Sequence, residues 1–324
     1  MKLARRQFLH LAVGAAALPA VSRVARAQAY PTRPVRIVVG FAPGGTTDIV
    51  ARLVAQWLSE RIGQQFIVEN RPGANASIAT ESVIRAARDG YTLLMCVPEH
   101  ALNPSLYKLN YDFRRDMTMI GSLVRSPLVL EVHPRVPATN VSEFIDYLKT
   151  NRGNATMASF GAGSLSHVAG ELFKMAAGVK AVHVPYRGSA PMLSDLIGGQ
   201  VQSAFDNLPA SLEHIKAGRL RPLAVATATR WEVLPTVPTM AEFVPGFEAS
   251  ATTGMGAPAG TPLDIINRLN SEINAGVSDP RISARIAELG AAPHIGSPND
   301  YAQFIDSETD KWGKVVRAAN IKVE

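Results

Sequence analysis

The chain has 324 residues and a hydrophobic fraction of 47%, enough for two domains and too apolar for a disordered chain. Its net charge of +6 sits at the front: residues 1–29 carry Lys2, Arg5, Arg6, Arg23 and Arg26 and no acid, leaving 28 basic against 27 acidic residues. A nearly neutral body has no electrostatic footprint for nucleic acid or an anionic membrane, so neither is expected as a partner.

Residues 1–29 read as a bacterial export signal. Arg5-Arg6-Gln7-Phe8-Leu9 is twin-arginine-like, an apolar run follows through Leu18, and cleavage is expected near Ala27 or Ala29. The apolar run is too short to span a bilayer comfortably. The expectation is a soluble periplasmic protein. Cys96, the single cysteine, has no internal disulfide partner and lies in the apolar run 91–97, where it reads as a buried core thiol.

The stretch 35–52, VRIVVGFAPGGTTDIVAR, sets the pattern of the mature sequence. Val35 to Gly40 predict a buried strand, Pro43-Gly44-Gly45 break it, and Thr46 and Thr47 offer hydroxyls for a helix N-cap. Ile49, Val50, Leu53, Val54, Trp57 and Leu58 then recur at helical spacing. A glycine turn between a strand's carboxyl end and a helix start is an anion-ready site.

Phe66 to Glu69 predict a second strand, Ser77 to Arg88 a helix with Ile78, Val83 and Ile84 on its apolar side, and Tyr91 to Val97 a third strand. Strands alternating with helices argue for a parallel sheet whose carboxyl-end turns share one edge. Met117 to Val132 is a long extended run, a plausible crossing between domains. Past Pro137 come a helix at 141–150 and a strand at 155–159. The turn Gly161-Ala162-Gly163-Ser164 leads to a helix at 165–177, followed by a strand at 182–185. Tyr186-Arg187-Gly188-Ser189 opens a helix through Ile197, and the strand from Val201 ends in Asp206-Asn207 before a helix near 208–217. Leu223 to Ala226 is strand, and 234–245 is loop with a short helix. Thr252 to Pro258 return as a strand, Pro262 starts a helix with Ile265, Ile266, Leu269 and Ile273 as its apolar residues, and two more helices near 281–289 and 299–319 pack back on the first domain. The expected organisation is domain 1 at 30–131 plus 252–324, domain 2 at 132–251, and a cleft between them.

Catalytic signatures are missing from the sequence. There is no nucleophile elbow, phosphate-binding P-loop or G-x-G-x-x-G turn, and no histidine pair at zinc spacing, so neither cofactor nor metal is expected. Ser164 and His167, three apart on one helix face, read either as nucleophile and base of a hydrolase or as an N-cap and a packed helix residue. Asp48 is either a favourable first-turn acid or a ligand contact, and Asp206 points towards the expected cleft. Arg187 is either a carboxylate clamp or an exposed loop residue.

The export signal followed by YPTRPVRIVVGFAPGGTTDIVAR, IVENRPGANASIAT, DGYTLLMC, HALNPSLY, ASFGAGSLSHVAGELFKMAAG, VHVPYRGSAPMLSDLIGGQVQSAFDN and GAPAGTP resembles, in order and across the mature chain, the solute receptors of tripartite tricarboxylate transporters, also called Bug proteins. The resemblance implies a type II periplasmic-binding-protein fold, two α/β domains closing on one small organic acid. It implies ligand contacts at Pro43, Gly44, Gly45, Thr46, Asp48, Gly163, Ser164, His167, Tyr186, Gly188 and Asp206. It also implies no catalysis, a monomer, and delivery to membrane permease subunits; a sensor kinase is the alternative partner. One departure stands out: where the family often continues R-P-G-A-G-G, this chain has Asn75 and Ala76, which bring an amide into the pocket floor. Glu99 and His100 form a second candidate specificity element.

Overall fold

The computed structural model describes residues 30–318 and 320–323; the expected export signal at 1–29 lies outside the described residues. Taken in chain order, β1 (Val35–Val39) leads into α1 (Thr46–Ile62), β2 (Phe66–Asn70), α2 (Ser77–Ile84), β3 (Thr92–Cys96), α3 (Glu99–Leu106) and α4 (Phe113–Asp116). β1 pairs in parallel with β2 and β3, as strands joined by helical crossovers do. Ile37, Val39, Leu93 and Leu94 are fully buried, which is why these strands read as unbroken apolar runs.

β4 (Met117–Val132) is one strand of 16 residues, roughly 50 Å long at the usual rise per residue. Beyond it come α5 (Val141–Thr150), β5 (Thr156–Ser159), α6 (Leu165–Ala177), β6 (Val182–Pro185), α7 (Ser189–Gly198), β7 (Ser203–Asn207), α8 (Leu208–Lys216) and β8 (Arg221–Val225). A single 3-10 turn at Met240–Glu242 precedes β9 (Ser250–Pro258), α9 (Leu263–Ser278), α10 (Pro280–Glu288), β10 (Ala292–Pro293) and α11 (Pro298–Ala318). β4 lies antiparallel to β9 from Met117 to Pro127, and beyond that to β7 and β8. The path β2-β1-β3-β9-β4-β7-β5-β6 therefore has a first half built on β1 and a second half built on β5, with β4 running through both. β5 is parallel to β6 and β7, the same local plan as β1 with β2 and β3.

Three expectations are corrected. α2 stops at Ile84, and Ile78 is 54% exposed, its buried face being Ser77, Ala79, Thr80 and Val83. Gly45, not a threonine, is the N-cap of α1, and no side chain caps it. α11 does not pack on the first half alone: Tyr301 and Ile305 join the core of Leu94 and Met119, whereas Trp312 and Val316 join the core of Phe144 and Phe173. Its 21 residues span roughly 31 Å, long enough to reach both. Among the described residues no helix is long and apolar enough to cross a membrane, and no group of three or more His, Cys, Asp and Glu could hold a metal ion.

Candidate functional site

The site begins with the turn after β1. Gly44 adopts φ +84°, which aims its N–H back at Asp48 Oδ2 (3.0 Å). Asp48 also accepts from Arg52 Nε and Nη2 (3.0 and 2.9 Å) and from Asn70 Nδ2 (3.0 Å). Burial works to raise this carboxyl, but the hydrogen bonds from Arg52, Gly44 and Asn70 hold it below its ordinary value. The side chain is consumed in shaping the turn.

The second half repeats the device. Gly163 at φ +73° ends the turn after β5, and Ser164 caps α6 by accepting from His167 N (3.3 Å) while donating to Gly161 O (2.6 Å). His167 Nδ1 accepts from Gly163 N (3.0 Å) and Nε2 faces Glu171 at 3.4 Å. Ser164 Oγ meets the His167 backbone, not its ring. The pair is a cap and a packed histidine, and the nucleophile–base reading has no geometric support.

The two halves touch through direct contacts. Tyr107 Oη donates to Ala162 O (2.7 Å), Asn75 Nδ2 to Gly163 O (3.0 Å), and Leu165 N to Glu99 Oε1 (3.0 Å). A first-half carboxyl thus occupies the N-terminus of α6, the helix end expected to meet a ligand. Phe41 and Phe160, one from each turn, pack edge to face.

That aromatic pair borders two chambers. The inner one, about 20 Å³, is lined by Gly45, Thr46, Thr47, Glu99, Ser189, Asn207, Thr253 and their neighbours. The outer one, about 330 Å³, is lined by Pro72 to Ala76, Tyr107, Gly161, Ala162, Tyr186 and Arg187. The N-termini of α1, α3, α7 and α8 reach the inner chamber through Gly45, Glu99, Ser189 and Asn207, and no side chain caps any of the four. Four N-termini without side-chain caps turn their positive dipole ends on one small space, which favours an anion, although at α3 His100 N and Ala101 N already donate to Val97 O and Pro98 O and Pro209 of α8 has no N–H to offer.

The expected residues separate by position. Gly45 and Thr46 line the inner chamber, and Asn75 and Tyr186 the outer. Gly163 and Ser164 form the turn behind it, with Tyr107 Oη 2.8 Å from where a Cβ on Gly163 would sit. Gly188, at φ +131°, lets the start of α7 approach Ala42 closely. Pro43 and Gly44 are exposed and line neither chamber. His100 is buried away from both, bonded to Thr80 and stacked on Phe113, and burial pushes it down to about 4. Asp206 is fully buried and accepts from Ser189 Oγ (2.6 Å); burial pushes it up to about 7, and it acts on the chamber through Ser189. Asp48, His167 and Asp206 hold the site's turns and line neither chamber.

Sequence reasoning missed Phe41, Phe160, Ser189, Asn207 and Thr253. The two phenylalanines carried a signal, since each stands three residues before the left-handed glycine of its turn, Gly44 and Gly163. Asn207 stood beside Asp206. Thr253 carried none, because only the pairing of β9 with β4 brings it to the cleft.

Comparison with known proteins agrees with this architecture. The profile described as the tripartite tricarboxylate transporter family receptor matches residues 50–321. Protein BugT of Bordetella pertussis is 36% identical over 302 residues, covering 92% of this chain and 93% of its own. The structure of R. palustris Rpa4515 with adipate superposes with a TM-score of 0.88 at 40% identity, covering 90% of this chain and 99% of that one. MatC (Rpa3494) from Rhodopseudomonas palustris with bound malate gives 0.85 at 33%, covering 89% and 100%. The expected fold class stands: a mixed α/β fold of the periplasmic solute-binding type. With its cleft, its paired glycine turns and this likeness along most of its length, the chain belongs to the tripartite tricarboxylate transporter receptor family.

Proposed function

We propose that this chain is a periplasmic receptor that captures a small carboxylate between two lobes and hands it to membrane permease subunits, without catalysing a reaction. The observation that carries the reading is the convergence of four uncapped helix N-termini on the inner chamber. Backbone N–H groups and helix dipoles balance an acid without burying a full countercharge, which limits the desolvation cost. Structural relatives hold adipate and malate, both small acids, which supports the ligand class.

The lobes in this proposal are 30–131 with 252–324, and 132–251. The carboxylate contacts are Gly45, Thr46, Thr47 and Ser189, with Asn75, Tyr186 and Arg187 around the outer part of the ligand. The twin-arginine-like segment 1–29 accounts for export, and the mature chain acts as a monomer. Closure follows differential affinity for the closed state.

The test is thermal unfolding of residues 30–324 against C4–C6 di- and tricarboxylates, acidic amino acids and aromatic acids. A ligand at about 100 times its dissociation constant adds about 2.7 kcal/mol, a shift of roughly 2–6 °C for a chain of this size. A shift with an acid that is recovered unchanged is the expected result. A folded sample that responds to none of the acids overturns the ligand class.

A further inference from the structure

We propose that the buried carboxyl pair Glu131 and Asp206 is a proton-binding site, and that the receptor takes up a proton there as it binds its acid. Ser189 passes the change from the pair to the inner chamber. The proposal rests on the receptor reading above and adds a proton to what the cleft captures.

Strand register sets the pair. Glu131 on β4 stands opposite Ala204 on β7, and Val129 opposite Asp206. Both carboxyls therefore leave the same face of the sheet as diagonal neighbours, roughly 7–8 Å apart at Cα. Both residues are fully buried. Neither oxygen of Glu131 has a hydrogen-bond partner within the protein, nor does Asp206 Oδ2, nor Oγ of Ser211, a buried α8 hydroxyl beside Glu131.

Among the described residues no cation pairs with either carboxyl. The charged groups of the surrounding elements are engaged elsewhere: Asp195 of α7 with Tyr186, His167 and Lys174 of α6 with Glu171, Glu213 and Lys216 of α8 with each other, and Arg221 of β8 with the carbonyls of Val136 and Ala138. His214 of α8 lies in a groove with Arg219. Two neighbouring carboxyls in a dry interior without a countercharge do not both ionise, so the pair holds at least one proton. Burial raises both, and the charge of Asp206 raises Glu131 again, which leaves Asp206 as the member that exchanges a proton.

Ser189 is the link to the cleft. Its Oγ donates to Asp206 Oδ1 at 2.6 Å while the residue lines the inner chamber. Its Cβ lies 3.7 Å from where a Cβ on Gly45 would sit, beside the α1 N-terminus that suits a carboxylate. With Asp206 ionised, the Ser189 proton is turned from the chamber and only oxygen lone pairs face an incoming anion. A proton on Asp206 reverses the bond. Asp206 Oδ1–H then donates to Ser189 Oγ, and the Ser189 proton is free to donate to the ligand carboxylate. The proton comes from solvent, Ser189 stays neutral throughout, and one O–H bond is gained at Asp206. The bound anion in turn favours the protonated acid, so proton and ligand reinforce each other.

The test is calorimetric titration of the mature receptor with succinate, malate, adipate and glutamate at pH 6.5, 7.5 and 8.5, with the pH 7.5 titrations run in both HEPES and Tris, whose ionisation enthalpies differ. An acid that binds is expected to do so about fivefold more tightly at pH 6.5 than at pH 8.5, and the difference in heat between the buffers is expected to show net proton uptake, at most about one per acid. Asp206→Asn keeps a group that donates to Ser189, and is expected to hold the low-pH affinity at every pH with no proton uptake. Ser189→Ala cuts the link and is expected to bind more weakly with the pH dependence gone; it carries the test if Asp206→Asn does not fold. Binding that is independent of pH and of buffer overturns the inference and leaves the receptor reading intact. So does proton uptake that survives Asp206→Asn, and its loss in Glu99→Gln would assign the proton to the other buried carboxyl at the chamber. Failure of every acid to bind the folded receptor overturns the carboxylate reading and this inference with it.

Discussion

Phe41 and Phe160 meet edge to face across the cleft, with ring centroids 6.0 Å apart and planes at 87°. Each follows the strand that leads into a glycine turn, and both line the inner and the outer chamber. Such a pair contributes about 0.5–1.5 kcal/mol beyond its buried area. Phe41 is only partly buried, so Phe41→Ala should leave the fold intact while joining the chambers. We expect ligand dissociation to accelerate about tenfold with a smaller change in association, since contact losses act mainly on the off-rate. Stopped-flow displacement checks this, and an unchanged dissociation rate removes the gate.

Much of this fold could be read from the chain, and the reasons are local. Gly163, Ser164 and the periodic residues behind them specify α6 to the residue, and the unbroken run from Met117 to Val132 specifies β4. The hidden part depends on contacts between distant segments. Asp48 looked like a ligand contact because nothing near it in sequence announces that Asn70 and Gly44 absorb its oxygens along with Arg52. His100 sits beside Glu99 in the chain, yet one helical step turns it into the core against Phe113. Glu99 was expected as a specificity element, but its partner Leu165 lies 66 residues away at the start of α6, beyond the reach of local reasoning.

Asp48 should behave as a structural acid. Hydrogen bonds to a charged group contribute about 1.5–3 kcal/mol, so Asp48→Ala should destabilise the protein by about that amount or more and loosen the first turn. The pH sign comes from its lowered value in the folded state. Its contribution is fully present above the unfolded value near 4 and is lost as pH falls through the folded one. Chemical denaturation at pH 6 and at pH 3 measures this. If Asp48→Asn loses stability on acidification as steeply as the parent, the assignment fails.

Histidine acts in a different pH window. His100 is 2% exposed, and burial pushes it down to about 4, so the folded protein resists a proton that the unfolded chain accepts near 6.5. The unfolded state binds more protons between those values, so stability rises with pH across the window, by about 1.4 kcal/mol per pH unit for this group. His183, stacked on His167 at 3.8 Å and also pushed down to about 4, adds to the slope in the same direction. Denaturation midpoints between pH 4.5 and 7 should flatten in His100→Gln. An equal slope in parent and variant would rule His100 out as a source.

Three consecutive residues, Ala74, Asn75 and Ala76, hold φ of +46°, +50° and +69° at the rim of the outer chamber. Asn tolerates this region, but a left-handed alanine costs about 1–2 kcal/mol. Ala76 packs against Gly40, whereas Ala74 is exposed, so Ala74→Gly relieves strain without opening a cavity. Set against the extra freedom that glycine gives the unfolded chain, a net gain of about 0.5 kcal/mol is expected. Thermal unfolding of the ligand-free protein tests it; a loss of stability would mean that the turn is held without strain.

Tyr107 joins the halves through its hydroxyl, 2.7 Å from Ala162 O, and its ring stands beside Gly163. Tyr107→Phe removes that bond and keeps the ring, so the fold should persist while contact between the halves loses about 1 kcal/mol. A receptor that binds by closing then gives up affinity in proportion to the lost population of its closed state, about fivefold. The ligand-free variant should also scatter as a slightly larger particle, a readout that a purely local contact would not move. If small-angle scattering and acid affinity both match the parent, Tyr107 contributes nothing to closure, and the shape of the cleft must rest on other contacts between the halves, those of Asn75 and Glu99 among them.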